Sequence, residues 1–236
     1  LLYKISLNNI NQKVIVQNTS DLLFLKNKLH LNDFQIQFIP GSGIDLSLFR
    51  PAPFPRDKIV FLFASRLLIS KGIREFSEAA LRVPQAECIV AGSFDKDNPE
   101  CLSEEELFLW IKNGHIKYLG HQENICQLIN QSSVVVLPSF YGEGLPKILI
   151  EASACGRPVI TTYNQGCKEA IEENITGFLM KAKNVDNLVY FMNKFIANPS
   201  LIKSMGSNSR LRAEKLFNID DVVKTHLNIY ENMIIS

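Results

Sequence analysis

Val134-Val135-Val136-Leu137-Pro138-Ser139-Phe140-Tyr141-Gly142-Glu143-Gly144-Leu145-Pro146-Lys147-Ile148-Leu149-Ile150-Glu151 reads as one strand, one turn and the start of one helix. Val134 to Leu137 is an uninterrupted apolar run, the pattern of a parallel strand covered on both faces. Gly144 loosens the turn. Pro146 suits the first helical turn, because its missing N–H would go unpaired there anyway. The helix then runs to about Cys155. A strand feeding a helix in this way is the repeating unit of a doubly wound α/β fold, in which ligands sit at the carboxyl ends of the strands.

The same stretch carries chemistry. Free N–H groups at a helix start, with the helix dipole behind them, attract anions such as phosphate. Glu143 stands at the mouth of such a site. Glu151 follows after seven intervening residues, about two helical turns on and roughly on the same face. That arrangement suits a ligand with phosphate and several hydroxyls, such as a nucleotide sugar. Yet most turns rich in Gly and Pro only make the turn, and a Glu at either end of a helix is usually solvated. The rest of the chain has to decide.

Outward from this stretch, apolar strands alternate with amphipathic helices. Strands are expected at Val14–Gln17, Ile36–Ile39, Ile59–Ala64, Glu87–Ala91, Ile116–Leu119, Val134–Leu137, Pro158–Thr161 and Gly177–Leu179. Helices are expected at Ser20–Leu29, Lys71–Arg82, Glu104–Lys112, Asn124–Asn130, Pro146–Ala154, Cys167–Glu172, Val185–Ala197, Pro199–Phe217 and Asp220–Ile234. Ser103 before Glu104, Glu105 and Glu106 is a good N-cap with an acidic first turn. Pro40-Gly41-Ser42-Gly43, followed by Pro51, Pro53 and Pro55, reads as a linker. Residues 1–50 then form the tail of a preceding domain plus linker, 51–217 a Rossmann-like domain, and 218–236 a final helix. Val222, Val223, Leu227, Tyr230, Met233 and Ile234 give that helix an apolar stripe, expected to face a core.

Three more strand ends attract attention. Arg66 follows the strand at Ile59–Ala64, and Lys71 is expected to begin the next helix. Two fixed cations at the edge that carries Glu143 can stabilise a diphosphate leaving group without a metal. Either alone reads as a surface charge; with Glu143 and Glu151 on a neighbouring strand end they read as functional. Gly92 follows another strand and lets a ligand approach the backbone. Tyr118 and His121 sit at a third strand end, where His121 could contact a ligand. Gly after a strand is more often a plain turn, and a loop His is more often solvated.

Composition narrows the classes. The 236 residues suffice for one large domain, or one domain and a fragment. A net charge of +1 gives no global pull toward nucleic acid. Five cysteines, Cys88, Cys101, Cys126, Cys155 and Cys167, form no C-x-x-C pair. They argue for reduced thiols in a cytoplasmic setting, and against a disulfide framework or a zinc site. No apolar segment is long enough to span a bilayer. The start at Leu1 has neither an initiator Met nor a signal-peptide layout, and is read as an internal point of a longer chain.

Taken together, these residues resemble the C-terminal domain of a retaining glycosyltransferase of the two-Rossmann-domain GT-B fold, family four. Glu143 to Thr162 is similar to that family's E-x7-E region. Arg66 with Lys71, Ile39-Pro40-Gly41-Ser42-Gly43-Ile44-Asp45 and Gly166-Cys167-Lys168-Glu169 support the likeness, which runs from about Ile36 to the end. The Glu143-Gly144-Leu145-Pro146-Lys147 form resembles bacterial enzymes that build surface polysaccharides, often on polyprenyl diphosphate. It is shorter than the family's E-G-F-G-L-P pattern, so the place of Glu143 rests on the seven-residue spacing.

The resemblance implies roles. Arg66 and Lys71 would hold the donor diphosphate. Glu143 would bind the donor sugar hydroxyls, assisted by the N–H groups of Gly144 and Leu145. Glu151 would bind the ribose, and the base would lie near Gly92, Tyr118 and His121. The donor would be a UDP- or GDP-sugar, and no metal or other cofactor would be needed. A sugar or lipid-linked sugar acceptor would bind through the preceding domain. The enzyme would be cytoplasmic, with room for peripheral membrane contact by the full-length protein. An epimerase-like enzyme and a non-catalytic nucleotide-sugar-binding module are the competing readings. A NAD-binding domain is disfavoured, because no G-x-G-x-x-G follows the first strand of the main domain.

Overall fold

The computed structural model describes residues 6, 7, 12–142 and 144–235. Eight strands are described: β1 (Val14–Val16), β2 (Ile36–Phe38), β3 (Val60–Ala64), β4 (Glu87–Ala91), β5 (Lys117–Tyr118), β6 (Val134–Leu137), β7 (Val159–Thr162) and β8 (Gly177–Met180). The helices are α1 (Thr19–Leu29), α2 (Ile73–Leu81), α3 (Glu104–Lys112), α4 (Ile125–Asn130), α5 (Lys147–Ala154), α6 (Cys167–Ala170), α7 (Val185–Ala197), α8 (Ser200–Leu216) and α9 (Ile219–Ile235).

Strands β3 to β8 form one sheet in the order β5-β4-β3-β6-β7-β8, with every pairing parallel. The chain therefore starts in the middle and winds outward twice, reversing between β3 and β6. This is the doubly wound topology, and the reversal opens a crevice beyond the strand ends. Every residue of β3, β6, β7 and β8 is buried. That is why these segments read as continuous apolar runs rather than as alternating ones. Helix α2 packs with α7, and α5 with α8.

Residues 14–38 form a second, smaller unit. Its strands β1 and β2 pair in parallel, and Val16, Leu25 and Ile36 make its core. The linker that follows is strapped to the main domain. Arg157 is almost completely buried, and its Nη2 donates to the carbonyls of Ala52, Pro53 and Asn130 at 2.9, 3.2 and 2.7 Å. Its guanidinium lies 4.1 Å from the Phe54 ring centroid. Arg210 Nη1 holds the Phe49 and Ala154 carbonyls, both at 2.7 Å. Further back, Ile44 pairs in parallel with Asn218, through Ile44 N–H to Phe217 O at 2.7 Å and Ile219 N–H to Ile44 O at 3.1 Å.

Three expectations are corrected. Lys71 does not begin a helix. It ends a short 3-10 turn, Ile69–Lys71, and α2 starts only after Gly72. Gly72 has φ 81°, and a Cβ there would meet the Pro138 carbonyl oxygen at 2.3 Å. Only glycine can make this turn so close to the neighbouring loop. Pro146 caps α5 with an extended backbone instead of entering it, so the first helical residue is Lys147. The third correction concerns α9. Val222 and Ile229 are buried with Ile39, whereas Val223, Leu227, Tyr230, Met233 and Ile234 are exposed. Val222 and Ile229 lie two turns apart on one line of the helix. Ile39, just after β2, and Gly43 in the linker lie against that line.

Candidate functional site

The carboxyl ends of β3 and β4, the loop after β5, and α5 together enclose a cavity of about 250 Å³. Its wall includes Ala64, Ser65 and Arg66 after β3, and Gly92 and Ser93 after β4. His121 and Gln122 follow β5, Ile125 opens α4, and Ile148 and Glu151 come from α5. The cavity lies beside the β3/β6 reversal, where a doubly wound sheet takes its ligand.

Gly92 is fixed by three neighbours. Its N–H donates to Gly120 O at 2.8 Å, and its carbonyl accepts from the Tyr118 hydroxyl at 2.8 Å. At φ 148°, a Cβ there would fall 1.8 Å from the Ser65 carbonyl oxygen. No larger residue fits between the two strand ends. Tyr118 thus supports the wall from behind, and burial raises its phenol pKa.

Arg66 extends from the β3 end, with Nη1 2.6 Å from Asp95 Oδ2. The carboxylate orients one edge of a five-donor guanidinium. Lys71 sits one short turn further on, with Nζ 5.4 Å from the Tyr141 ring centroid. The same turn grips the loop after β6: the Ser70 carbonyl accepts from Phe140 N–H at 2.9 Å, Tyr141 N–H at 3.2 Å and Ser139 Oγ at 3.3 Å. From the other side, Thr162 Oγ1 donates to Ser139 O at 2.5 Å. Lys71 and the loop leading to Glu143 are therefore built on one shared piece of backbone.

Glu151 is buried on the inner face of α5. Removal from water raises its pKa; Lys147, with Nζ 3.9 Å away, offsets part of that effect. A carboxyl group held in such a place is suited to accepting from a pair of ligand hydroxyls.

Of the residues singled out from the sequence, Arg66, Gly92, His121 and Glu151 meet on this cavity. Tyr118 stands behind it, and Lys71 beside it. Gly144 and Leu145 are not part of the cavity wall: the Gly144 carbonyl accepts from Asn18 Nδ2 at 3.4 Å, and Leu145 is buried against Gly41. Glu143 lies outside the described residues. Sequence reasoning did not find Gln122, Ile125 or Ile148. Ile148 was within reach, since it precedes Glu151 by three residues and shares its helical face. Nothing local marks Gln122 or Ile125. Among the described residues, no group of three or more His, Cys, Asp or Glu is arranged to hold a metal ion, and no helix is long and apolar enough to cross a membrane.

A family model described as "Glycosyl transferases group 1" matches residues 47–212. Among curated proteins, the chain is 29% identical to the N,N'-diacetylbacillosaminyl-diphospho-undecaprenol alpha-1,3-N-acetylgalactosaminyltransferase of Campylobacter jejuni, across 99% of this chain and 63% of that protein. It is 24% identical to the UDP-Gal:alpha-D-GlcNAc-diphosphoundecaprenol alpha-1,3-galactosyltransferase of Escherichia coli, across 95% and 61%. The chain thus spans about three fifths of the length of these relatives. Among solved structures, the sucrose-phosphate synthase of Thermosynechococcus elongatus superposes with a TM-score of 0.87 at 24% identity, over 99% of this chain and 61% of that one. HepE of Anabaena in complex with UDP-glucose gives 0.78 at 23%, over 95% and 64%. The parallel sheet and its helices match the C-terminal Rossmann-like half of GT-B enzymes. The family match takes in the whole cavity wall from Ala64 to Glu151, and the chain belongs to the glycosyl transferases group 1 family.

Proposed function

We propose that this chain is the donor-binding half of a retaining glycosyltransferase that moves a sugar from a UDP- or GDP-sugar to an acceptor hydroxyl. The observation that carries the reading is the convergence of Arg66, Gly92, His121 and Glu151 on one cavity at the topological switch point. A cation, a glycine with no side chain on the wall, a ring and a buried carboxyl group are what a diphosphate, a base and a ribose require.

In this reading Arg66 and Lys71 neutralise the diphosphate as it leaves, so no metal is needed for the chemistry. Glu151 accepts from the ribose hydroxyls. The base lies along Gly92 and His121, over the wall that Tyr118 supports. Glu143, with the N–H groups of Gly144 and Leu145, positions the donor sugar and is not a nucleophile. On the retained face, the C–O bond to the leaving phosphate breaks as the acceptor oxygen bonds to the same carbon. The acceptor proton passes to the departing phosphate oxygen.

The acceptor is a sugar or a lipid-linked sugar in polysaccharide or glycan synthesis. The C. jejuni and E. coli relatives, whose names specify diphospho-undecaprenol-linked acceptors, support that class. The acceptor side belongs to the part of the relatives' length that this chain does not span, so the chain alone binds nucleotide without full-rate transfer. The setting in this reading is the cytoplasm, with any membrane contact peripheral; five cysteines without a C-x-x-C pair suit a reducing compartment.

Calorimetric titration with UDP, GDP and ADP, with and without Mg²⁺, tests this. One diphosphate should bind independently of metal, and Arg66→Ala and Glu151→Ala should each weaken it at least about tenfold, or about 1.4 kcal/mol. Binding that both variants leave untouched, or no binding at all, sinks the assignment of this cavity.

A further inference from the structure

Arg66, on the cavity wall, stands on a backbone that its neighbours hold firmly. The Ser65 and Leu67 N–H groups donate to Ala91 O and Ser93 O at 3.1 and 3.0 Å, so the pairing of β3 with β4 runs on past both strand ends. Just beyond, Ile69 N–H donates to Glu100 O and Leu102 N–H to Leu67 O, both at 2.8 Å. The loop after β4 is closed by bonds of its own. Asn98 N–H donates to Asp95 O and Cys101 N–H to Asn98 O, both at 2.9 Å, and Lys96 Nζ lies 2.6 Å from Glu104 Oε1.

None of these bonds uses the Asp95 side chain. Among the described residues its carboxylate has one hydrogen-bond partner, Arg66 Nη1, 2.6 Å from Oδ2. The Arg66 side chain is 56% exposed, and an ion pair so open to water adds little to stability. What the pair does fix is direction. A free surface arginine samples many rotamers, and ordering it on a ligand uses up part of the affinity gained. The contact with Asp95 is end-on, through one nitrogen. The edge formed by Nε and Nη2, which can hold two phosphate oxygens at once, bonds to no described residue. Asp95 thus orders the guanidinium without taking the edge that a phosphate needs.

We propose that Asp95 is a positioning residue for the donor diphosphate, tethering Arg66 at the cavity wall with its bidentate edge left for the phosphates. The inference rests on the donor-site reading above and deepens it. Two effects oppose each other when Asp95 is removed. Repulsion between its carboxylate and the phosphates disappears, which favours binding, and the order imposed on Arg66 is lost, which weakens it. The repulsion acts through water and is screened by salt. The ordering comes from a direct, charge-assisted contact, so its loss decides the outcome.

The test measures dissociation constants for UDP and GDP by calorimetry, and for the weaker-binding uridine and guanosine by NMR titration, in the chain as it stands. The variants are Asp95→Ala, Asp95→Asn, Arg66→Ala and the Arg66→Ala, Asp95→Ala pair. For the diphosphate that binds, Asp95→Ala should raise the Kd about fivefold, or about 1 kcal/mol. Asp95→Asn, which keeps an acceptor without the charge, should raise it about threefold. The matching nucleoside should bind as before. Once Arg66 is Ala, removing Asp95 should weaken the diphosphate no further. Tighter diphosphate binding would make Asp95 a competitor for Arg66, and equal weakening of nucleoside and diphosphate would make it a support of the wall. Either result, or no change, overturns the proposal. If the unsubstituted chain binds no diphosphate, or binds it as well without the Arg66 side chain, the donor-site reading of Arg66 fails and this inference with it. If Arg66→Ala weakens binding and Asp95→Ala does not, only this inference fails. Thermal melting reports whether each variant folds, and the isosteric Asp95→Asn decides alone should Asp95→Ala not fold.

Discussion

Glu151 is a carboxyl group kept where its charge is disfavoured. Its pKa is raised in the folded chain, mainly by burial. The unfolded chain therefore loses that proton first as pH rises. The stability that the protonated form contributes is complete below the ordinary carboxylate range and is lost as pH climbs through the raised value. Glu151→Gln removes the titration. We expect the unliganded variant to melt about 2 °C or more above the parent at neutral pH, with the difference vanishing in acid. A melt series from pH 4 to 8 checks both halves, and a variant less stable at pH 8 contradicts them. Gly92 behaves oppositely. Gly92→Ala forces a methyl into the Ser65 carbonyl, so it should destabilise the chain by about 2 kcal/mol or more and abolish nucleotide binding. Melting and titration on the same sample would show it; unaltered binding would mean that the β3 and β4 ends can part freely.

Among the elements, Arg157 shows how much one side chain can secure. It serves the loop before β7, the end of α4 and the linker at once. Burial lowers its pKa to about 10, still well above neutrality, so it stays charged. Arg157→Met should strip several carbonyls of their donor and cost about 3 kcal/mol, and Arg157→Lys should rescue little of it, because an ammonium cannot reproduce the planar fork. Urea unfolding of the three proteins measures this, and full rescue by Lys would show that charge alone matters. How far the sequence could be read also varies by element. Glu87–Ala91, Val134–Leu137, Glu104–Lys112 and Val185–Ala197 have the bounds expected from pattern. Their apolar runs are long, and Ser103 and Asn184 cap their helices through the N–H groups of Glu106 and Asn187. The Ile69–Lys71 turn escaped, since the loop that bonds to it, through the Phe140 and Tyr141 N–H groups on the Ser70 carbonyl, is far along the chain. Arg66, Gly92, His121 and Glu151 were legible because each follows a strand or lies on a helical face. Gln122 and Ile125 were not, because nothing in their local sequence ties them to a cavity that exists only in three dimensions.

At the scale of the molecule, the chain passes between its two units twice: through the linker, and between α8 and α9. Helix α9 packs on Ile39, next to β2, through the line that carries Val222 and Ile229. Val222→Asp should therefore lower the melting temperature by about 6 °C, as a buried charge costing roughly 3 kcal/mol would. The pair Leu227→Glu and Tyr230→Ser should shift it by about 1 °C or less, since both side chains already face outward. Similar losses from both changes would show that the exposed stripe is covered in solution. The pairing of Ile44 with Asn218 sets the two crossings side by side. They therefore behave as one joint and not two: whatever frees the Ile44 N–H from the Phe217 carbonyl also slackens the start of the last helix, so neither crossing can be loosened alone.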